Sequence, residues 1–336
     1  MPMARIAVLS TAHIHTKSFL DNISKATDGR QAYAIWDDVP DRGRRYAADY
    51  KTTFIPSLNK LLRDRNVDDF LICAENTRHL PLLKKALPVG KPVFCEKPLT
   101  TTVKDALKIA ALLKQHPAKL FCGYFQPFGG GMQAVAQMLA DKAFGGVTRV
   151  KFRNAHHAAY GRWFDNADLQ WFTNPALSGG GAFMDMGTHA VHLLRTLFGP
   201  VAEVWATIRN ESGVYPTVDD FGVAHFRFAS GVLGTVEAAW TQTGGIGGLE
   251  IAGSEKSLWN NGKEYLVGSP KEQPVAVPPL PERPKTVDRL VAVIRGEIPD
   301  AELQADLAAI LDSVAIMEAA YASSKTGKWT KVKTIA

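Results

Sequence analysis

The sequence has few cysteines, no long apolar run and no block of like charge. Its three cysteines, Cys73, Cys95 and Cys122, are an odd number in 336 residues. That excludes a disulfide framework and suits a reducing compartment. No stretch approaches the roughly 18 consecutive apolar residues of a membrane-spanning helix. Residues 1–5 lead straight into an apolar strand, with no signal-peptide core, so a cytoplasmic protein with no membrane partner is expected. Lys and Arg outnumber Asp and Glu by 39 to 33, for a net charge of +6, but the two signs are interspersed and the densest basic run, 325–333, is short. Nucleic acid is therefore not an expected partner, although a modest positive field favours an anionic cofactor.

What is present is the alternation of an α/β protein. Short apolar segments at 5–9, 31–36, 53–54, 69–74, 92–95 and 119–124 are separated by helical patterns at 16–24, 42–50, 80–87 and 102–115. This order predicts a parallel, doubly wound Rossmann-type sheet with right-handed crossovers, whose ligands lie beyond the carboxyl ends of the strands. The loop after the first strand, Ser10-Thr11-Ala12-His13-Ile14-His15, stands where such a fold carries its phosphate loop. Asp37, at the end of the second strand, is placed to accept a ribose hydroxyl. All three cysteines fall near strand ends on neighbouring strands. They are read as small buried residues, and no metal site is assigned. From Tyr124 onward the pattern changes. Strands are expected at 147–153, 201–208, 221–228, 232–239 and 249–251, then helices over 287–325 broken at Pro299. Two domains follow, 1–123 for the dinucleotide and 124–336 for substrate and oligomerisation. The loop 154–175 carries His156, His157, Trp163, Trp171 and Phe172, which suit stacking on a polyol or covering the fold with their own aromatics. Asp219 and Asp220 face either substrate or water.

Ser178-Gly179-Gly180-Gly181 interrupts regular structure, and the residues after it follow a helical period up to Gly199-Pro200. One face collects Phe183, Met186, Ala190, Leu193, Leu194 and Leu197; the other aligns Asp185, His189 and His192. Asp185 and His189 stand at i and i+4, a spacing at which a carboxylate holds one ring nitrogen and fixes the tautomer of the other.

At Cys95-Glu96-Lys97-Pro98-Leu99 the chain resembles the glucose-fructose oxidoreductase, inositol dehydrogenase and MocA (Gfo/Idh/MocA) family, whose members carry Glu-Lys-Pro after the fifth strand. The turn 76–79, the approach Gly90-Lys91-Pro92-Val93 and the glycine run followed by Asp185 and His189 extend the resemblance over nearly the whole chain. The departures are specific. Ser10, Ala12 and His15 replace the three glycines of the phosphate loop, Ala74-Glu75 replaces Thr-Pro, and His192 stands where relatives often have Asp. The resemblance implies an open, mainly antiparallel second sheet supporting a homodimer or homotetramer, and an NAD(P)-dependent dehydrogenase acting on a sugar, inositol or related cyclic polyol. Asp37 favours NAD over NADP. By the same resemblance Lys97, Asp185 and His189 are catalytic. Ser10, Thr11, Ala12, His13, Ile14, Asp37, Asn76, His79, Glu96 and Lys97 meet the cofactor, and Tyr124, Trp163, Trp171 and His192 meet the substrate. The alternatives are an NAD-dependent glycosidase on the same fold, a metal-dependent lyase or hydrolase using Asp185, His189 and His192, and a non-catalytic ligand sensor.

Overall fold

The computed structural model describes residues 3–335. Alternating apolar strands and amphipathic helices build the first layer in chain order: β1 (Ala4–Leu9), α1 (Thr16–Lys25), β2 (Arg30–Trp36), α2 (Pro40–Asp49), β3 (Thr53–Phe54), α3 (Leu58–Leu62), β4 (Asp69–Ile72), α4 (His79–Ala86), β5 (Val93–Cys95), α5 (Val103–Gln115) and β6 (Leu120–Cys122). All pairs are parallel, in the order β3-β2-β1-β4-β5-β6. The sheet is buried on both faces, which is why its strands are continuous apolar runs instead of alternating ones. Ile6, Val8 and Leu9 of β1 are fully enclosed, each contributing about 1.5–3 kcal/mol of apolar burial. Cys73, Cys95 and Cys122 are buried thiols, with Cys95 registered against Cys122.

The second layer follows α6 (Gly130–Ala140): β7 (Val147–Ala155), α7 (Pro175–Ser178), α8 (Thr188–Phe198), β8 (Val201–Arg209), β9 (Phe221–Phe228), β10 (Leu233–Ala239), β11 (Gly248–Gly253), β12 (Ser257–Asn260), β13 (Tyr265–Ser269) and β14 (Glu272–Ala276). With β15 (Thr330–Lys331) they form a nine-stranded sheet in the order β14-β13-β12-β11-β7-β10-β9-β8-β15, antiparallel except for β7 beside β10. The edge strands β12 to β14 were not expected from the sequence. Tyr265 to Ala276 is short, half polar and carries Pro270 and Pro274, so alternation is weak there.

The chain then returns to the first layer. Helix α9 (Thr286–Ile294) packs Val287, Leu290 and Val293 against Ile6, Phe94 and Phe121. Helix α10 (Asp300–Thr326) begins after Pro299, as the sequence break predicts. It is long and apolar enough to cross a membrane by composition, yet 67% of that window is buried inside the protein. Its Ile310, Leu311 and Val314 complete the core under β4 to β6, and its Ile316, Met317 and Ala320 complete the core under the second sheet.

Candidate active site

The glycine run owes its sequence to a close approach. Asp219 reaches across it: its carboxylate accepts the N–H groups of Gly181 at 2.8 Å and Phe183 at 2.7 Å and the Tyr321 hydroxyl at 2.9 Å, while its carbonyl accepts Ala182 N–H at 2.8 Å. A Cβ on Gly181 would lie 1.8 Å from the Asp219 carbonyl oxygen. Gly181→Ala therefore forces away the segment around Asp219 that precedes β9. Urea denaturation should show a loss of about 3 kcal/mol, and a variant as stable as the parent would contradict this packing. Asp219 thus faces backbone, and Asp220 is fully buried, accepting Glu211 N–H, Ser212 N–H and the Ser212 hydroxyl. Both carboxylates are spent on backbone and side-chain donors of the protein itself.

Beyond the glycines the chain forms a π-helical turn, Phe183–Gly187, before α8. The wider turn breaks the i, i+4 phase on which the Asp185–His189 pairing rested. Asp185 instead turns to Lys97: Nζ donates to Oδ1 at 2.6 Å and to the Asp185 carbonyl at 3.4 Å. Trp240 Nε1 donates to Oδ2 at 3.0 Å. The pair is enclosed, Lys97 being 2% exposed. Burial raises the Asp185 carboxyl, but the Lys97 charge, its hydrogen bond and the Trp240 donor outweigh it and hold the group well below the usual carboxylate range. Trp240 is the contributor that sequence reasoning missed. Its only signal was an aromatic directly after the small pair Ala238-Ala239.

His189 lies beside this pair with Nδ1 unbonded. Burial, and then the Lys97 charge, push its pKa well below 6.5, so the ring is a neutral base at pH 7. Tyr124 stands behind it, edge-on at 5.8 Å between ring centroids, with its hydroxyl sharing a 2.6 Å hydrogen bond with Thr188 Oγ1. His192 is not a substrate ligand. It is fully buried, stacked at 4.1 Å on the far partner Tyr124, with Nε2 3.4 Å from Asp306 of α10. This also removes the triad of Asp185, His189 and His192 as a metal set, because the three face different partners. Tyr124 is likewise buried and supports His189 instead of contacting ligand. Trp163 is 38% exposed and stacks at 4.8 Å on His156, whose pKa is lowered by burial and which also feels the Asp185 and Lys97 charges. Trp171 is buried, donating Nε1 to the Ala12 carbonyl at 3.0 Å, so it clamps the phosphate loop and not the substrate.

The loop itself is tightly bound. Ser10 adopts φ +69°, the left-handed conformation that the missing glycine would supply. Thr11 donates its N–H and hydroxyl to Asp37 Oδ2 at 2.7 and 2.6 Å. Arg42 reaches Asp37 at 2.8 and 3.0 Å, and Val39 N–H takes the other oxygen. Asp37 is thereby saturated and 2% exposed, so it holds the loop instead of a ribose. Its neighbour Asp38 is exposed, pairs with Arg78, and lines a cavity of about 310 Å³ with Ser10, Trp36, Leu58 and Pro81. Glu75 is neutralised by Arg42 at 3.6 Å and Arg78 at 3.7 Å. Asn76 and His79 are braces: Asn76 donates to the Ser178 carbonyl at 2.8 Å, and the His79 ring lies between the carbonyls of Ala74 and Pro98 at 3.1 and 2.9 Å. Glu96 is fully buried between loop and turn, 3.2 Å from His15 Nδ1. A wide concavity of about 650 Å³, lined by His225, Arg227, Trp259 and Trp329, lies on the second sheet and includes none of these residues.

A doubly wound dinucleotide fold, joined to an open sheet that presses an Asp–Lys pair onto the end of the fifth strand, defines a Rossmann-type oxidoreductase. Residues 4–124 match the model of the oxidoreductase family with NAD-binding Rossmann fold, and residues 132–259 match the GFO/IDH/MocA C-terminal domain. The chain belongs to the Gfo/Idh/MocA family. It is 27% identical to myo-inositol 2-dehydrogenase of Thermotoga maritima, over 80% of this chain and 79% of that one. It is 26% identical to 1,5-anhydro-D-fructose reductase of Ensifer adhaerens, over 70% and 69%. Levoglucosan dehydrogenase, solved with NADH and levoglucosan, superposes with a TM-score of 0.79 at 19% identity, over 98% of this chain and all of that one.

The residues present fit the family's dinucleotide. The cavity beside Asp38 and Arg78 lies at the ends of β2 and β4, where the adenosine half of a dinucleotide rests in this fold. In the loop, Thr11, His13 and His15 give their N–H groups to Asp37, Cys73 O and His13 Nδ1, and His13 Nε2 is buried toward Glu96, so the side chain of His13 is not a phosphate donor. The amides of Ala12 and Ile14 have no acceptor among the described residues, and they are the donors left for a pyrophosphate.

Proposed function

We propose that the protein interconverts a secondary alcohol and a carbonyl on a sugar or cyclic polyol, with NAD as its hydride carrier. The observation that carries this reading is the enclosed Lys97–Asp185 pair beside a neutral His189 at the carboxyl edge of the Rossmann sheet. NAD, when bound, supplies the carbon that accepts the hydride from the carbinol carbon. Lys97 donates a hydrogen bond to the reacting oxygen, and Asp185, fixed by Trp240, keeps its Nζ aimed. His189, held neutral by its burial, takes the hydroxyl proton on its imidazole ring. Trp163 and His156 offer a stacking face to the ring of the sugar. The outer face of the second sheet, with Leu233 and Trp329 exposed, is where this reading places a homodimer or homotetramer contact.

The test follows 340 nm absorbance with NAD or NADP against aldoses, inositols, sugar acids and anhydrosugars. Reduction of NAD by at least one of them is expected; failure to bind either nucleotide would sink the reading. In the same assay Asp38→Ser should shift the NADP-to-NAD ratio of kcat/KM upward about tenfold, because the carboxylate edging the adenosine cavity repels a 2′-phosphate. Asp37→Ser should instead lower stability, since it releases Arg42.

A further inference from the structure

His13 and His15 project from the phosphate loop onto Glu96, and nothing in a dinucleotide oxidoreductase calls for this. The Glu96 carboxylate is wholly buried, with Oε1 3.2 Å from His15 Nδ1 and Oε2 3.8 Å from His13 Nε2. The three candidate donor atoms lie within 4.8 Å of one another. His13 Nε2 is buried, has no hydrogen-bond partner and points at Glu96 across a gap too long for a hydrogen bond. A buried polar atom left in this state needs an explanation, and an ion is one of the few available.

We propose that His13, His15 and Glu96 bind a divalent first-row transition metal, through Nε2, Nδ1 and one carboxylate oxygen. Two imidazoles and one carboxylate are a donor set for Zn²⁺, Co²⁺ or Fe²⁺ rather than for Mg²⁺ or Ca²⁺. A tetrahedral ion with bonds near 2.0–2.1 Å separates its ligands by about 3.3 Å. The present spacings need only small side-chain rotations to reach that.

Ligation uses neutral imidazoles and an ionised carboxylate. Around the cluster stand His79, His189 and Lys97, which disfavours a cation and is offset by Asp185 at 2.6 Å; the Lys97 N–H donates to Glu96 Oε2 at 3.0 Å, which leaves Oε1 as the freer ligand oxygen. Ligation through Nε2 leaves the ring proton on Nδ1. It therefore releases the His15 N–H that Nδ1 now accepts at 3.2 Å, at the long end of the range. Three protein ligands leave a coordination position for an oxygen between the phosphate loop and the Glu-Lys-Pro turn. His-x-His within one loop places both imidazoles, and β5 brings Glu96 to them from 81 residues away.

The test uses the full-length protein, stripped with a chelator, dialysed and titrated with Zn²⁺ and with Co²⁺ as a spectroscopic probe. One equivalent of metal by mass spectrometry is expected, with visible Co²⁺ bands of low coordination number and a Zn²⁺-dependent rise in melting temperature. His15→Ala, at a side chain 35% exposed and so tolerant of truncation, should weaken Zn²⁺ binding at least about 100-fold and abolish the bands. Glu96→Gln, checked for native circular dichroism, should do the same. His157→Ala, at an exposed histidine outside the cluster, should bind as the parent does. The proposal is overturned if the parent takes up no stoichiometric metal, or if His15→Ala and a folded Glu96→Gln bind it as tightly as the parent. Because metal content is read directly, either result is independent of turnover on any sugar.

Discussion

Lys97→Met should lower kcat on a proven substrate by about three orders of magnitude, in the upper part of the range for a proton-handling or charge-stabilising group. The same substitution should destabilise the protein by about 3–5 kcal/mol, because Asp185 is left buried without its counter-charge. The two effects separate in a cycle. Lys97→Met with Asp185→Asn removes both charges, and Trp240 Nε1 still finds an oxygen acceptor on the amide. Stability should return to within about 1–2 kcal/mol of the parent, while kcat stays as low as in the single variant. Recovery of turnover together with stability would show that Lys97 is a structural ion-pair partner and nothing more. Denaturant unfolding and steady-state kinetics on the four proteins check both arms.

Acidification should destabilise the protein earlier than its carboxylates alone predict. His189, His79 and His156 all have pKa values lowered in the folded state, with burial the leading cause of each. A histidine depressed in the native state is neutral in both states above about 6.5. As pH falls below that, the unfolded chain binds the proton and the native chain does not, so stability is lost until the folded pKa is reached. His189 alone should approach a loss of about 1.4 kcal/mol per pH unit below 6.5. His79 and His156 add to it over their own narrower windows. Asp185 acts later: its depressed carboxyl stabilises the fold above about 3.9, and that contribution is lost only as pH falls below it. Urea midpoints in chelator between pH 7.5 and 5 measure the slope. His189→Gln should flatten it by the share of one histidine, whereas a flat parent profile over that range would contradict the buried neutral rings.

The parallel sheet was legible because its strands are short, wholly apolar and evenly spaced by helices, as 69–72 and 93–95 illustrate. Asp185 and Lys97 were legible as partners in a crevice, but not as partners of each other. Helical geometry at 100° per residue assigns Asp185 to His189, and only the π-helical turn redirects it. Asp37 was misjudged for a related reason. Its position in sequence suits a ribose, while its occupancy depends on Arg42 folding back five residues along α2, a choice of rotamer that no spacing announces. The aromatic segment divided in two: Trp163 stayed partly exposed against His156, and Trp171 turned under the loop. Both have the same chemistry, and only the 3.0 Å bond to Ala12 distinguishes them.

Helix α10 carries a consequence for how the molecule comes apart. Within this 27-residue helix, Ile310 and Val314 belong to the Rossmann core, and Ile316 and Met317, directly after them, belong to the core of the second sheet. Neither half owns a complete interior without it. The two layers share a cooperative unit, so melting either one withdraws the helix from the other, and heat should unfold the chain in one transition instead of two.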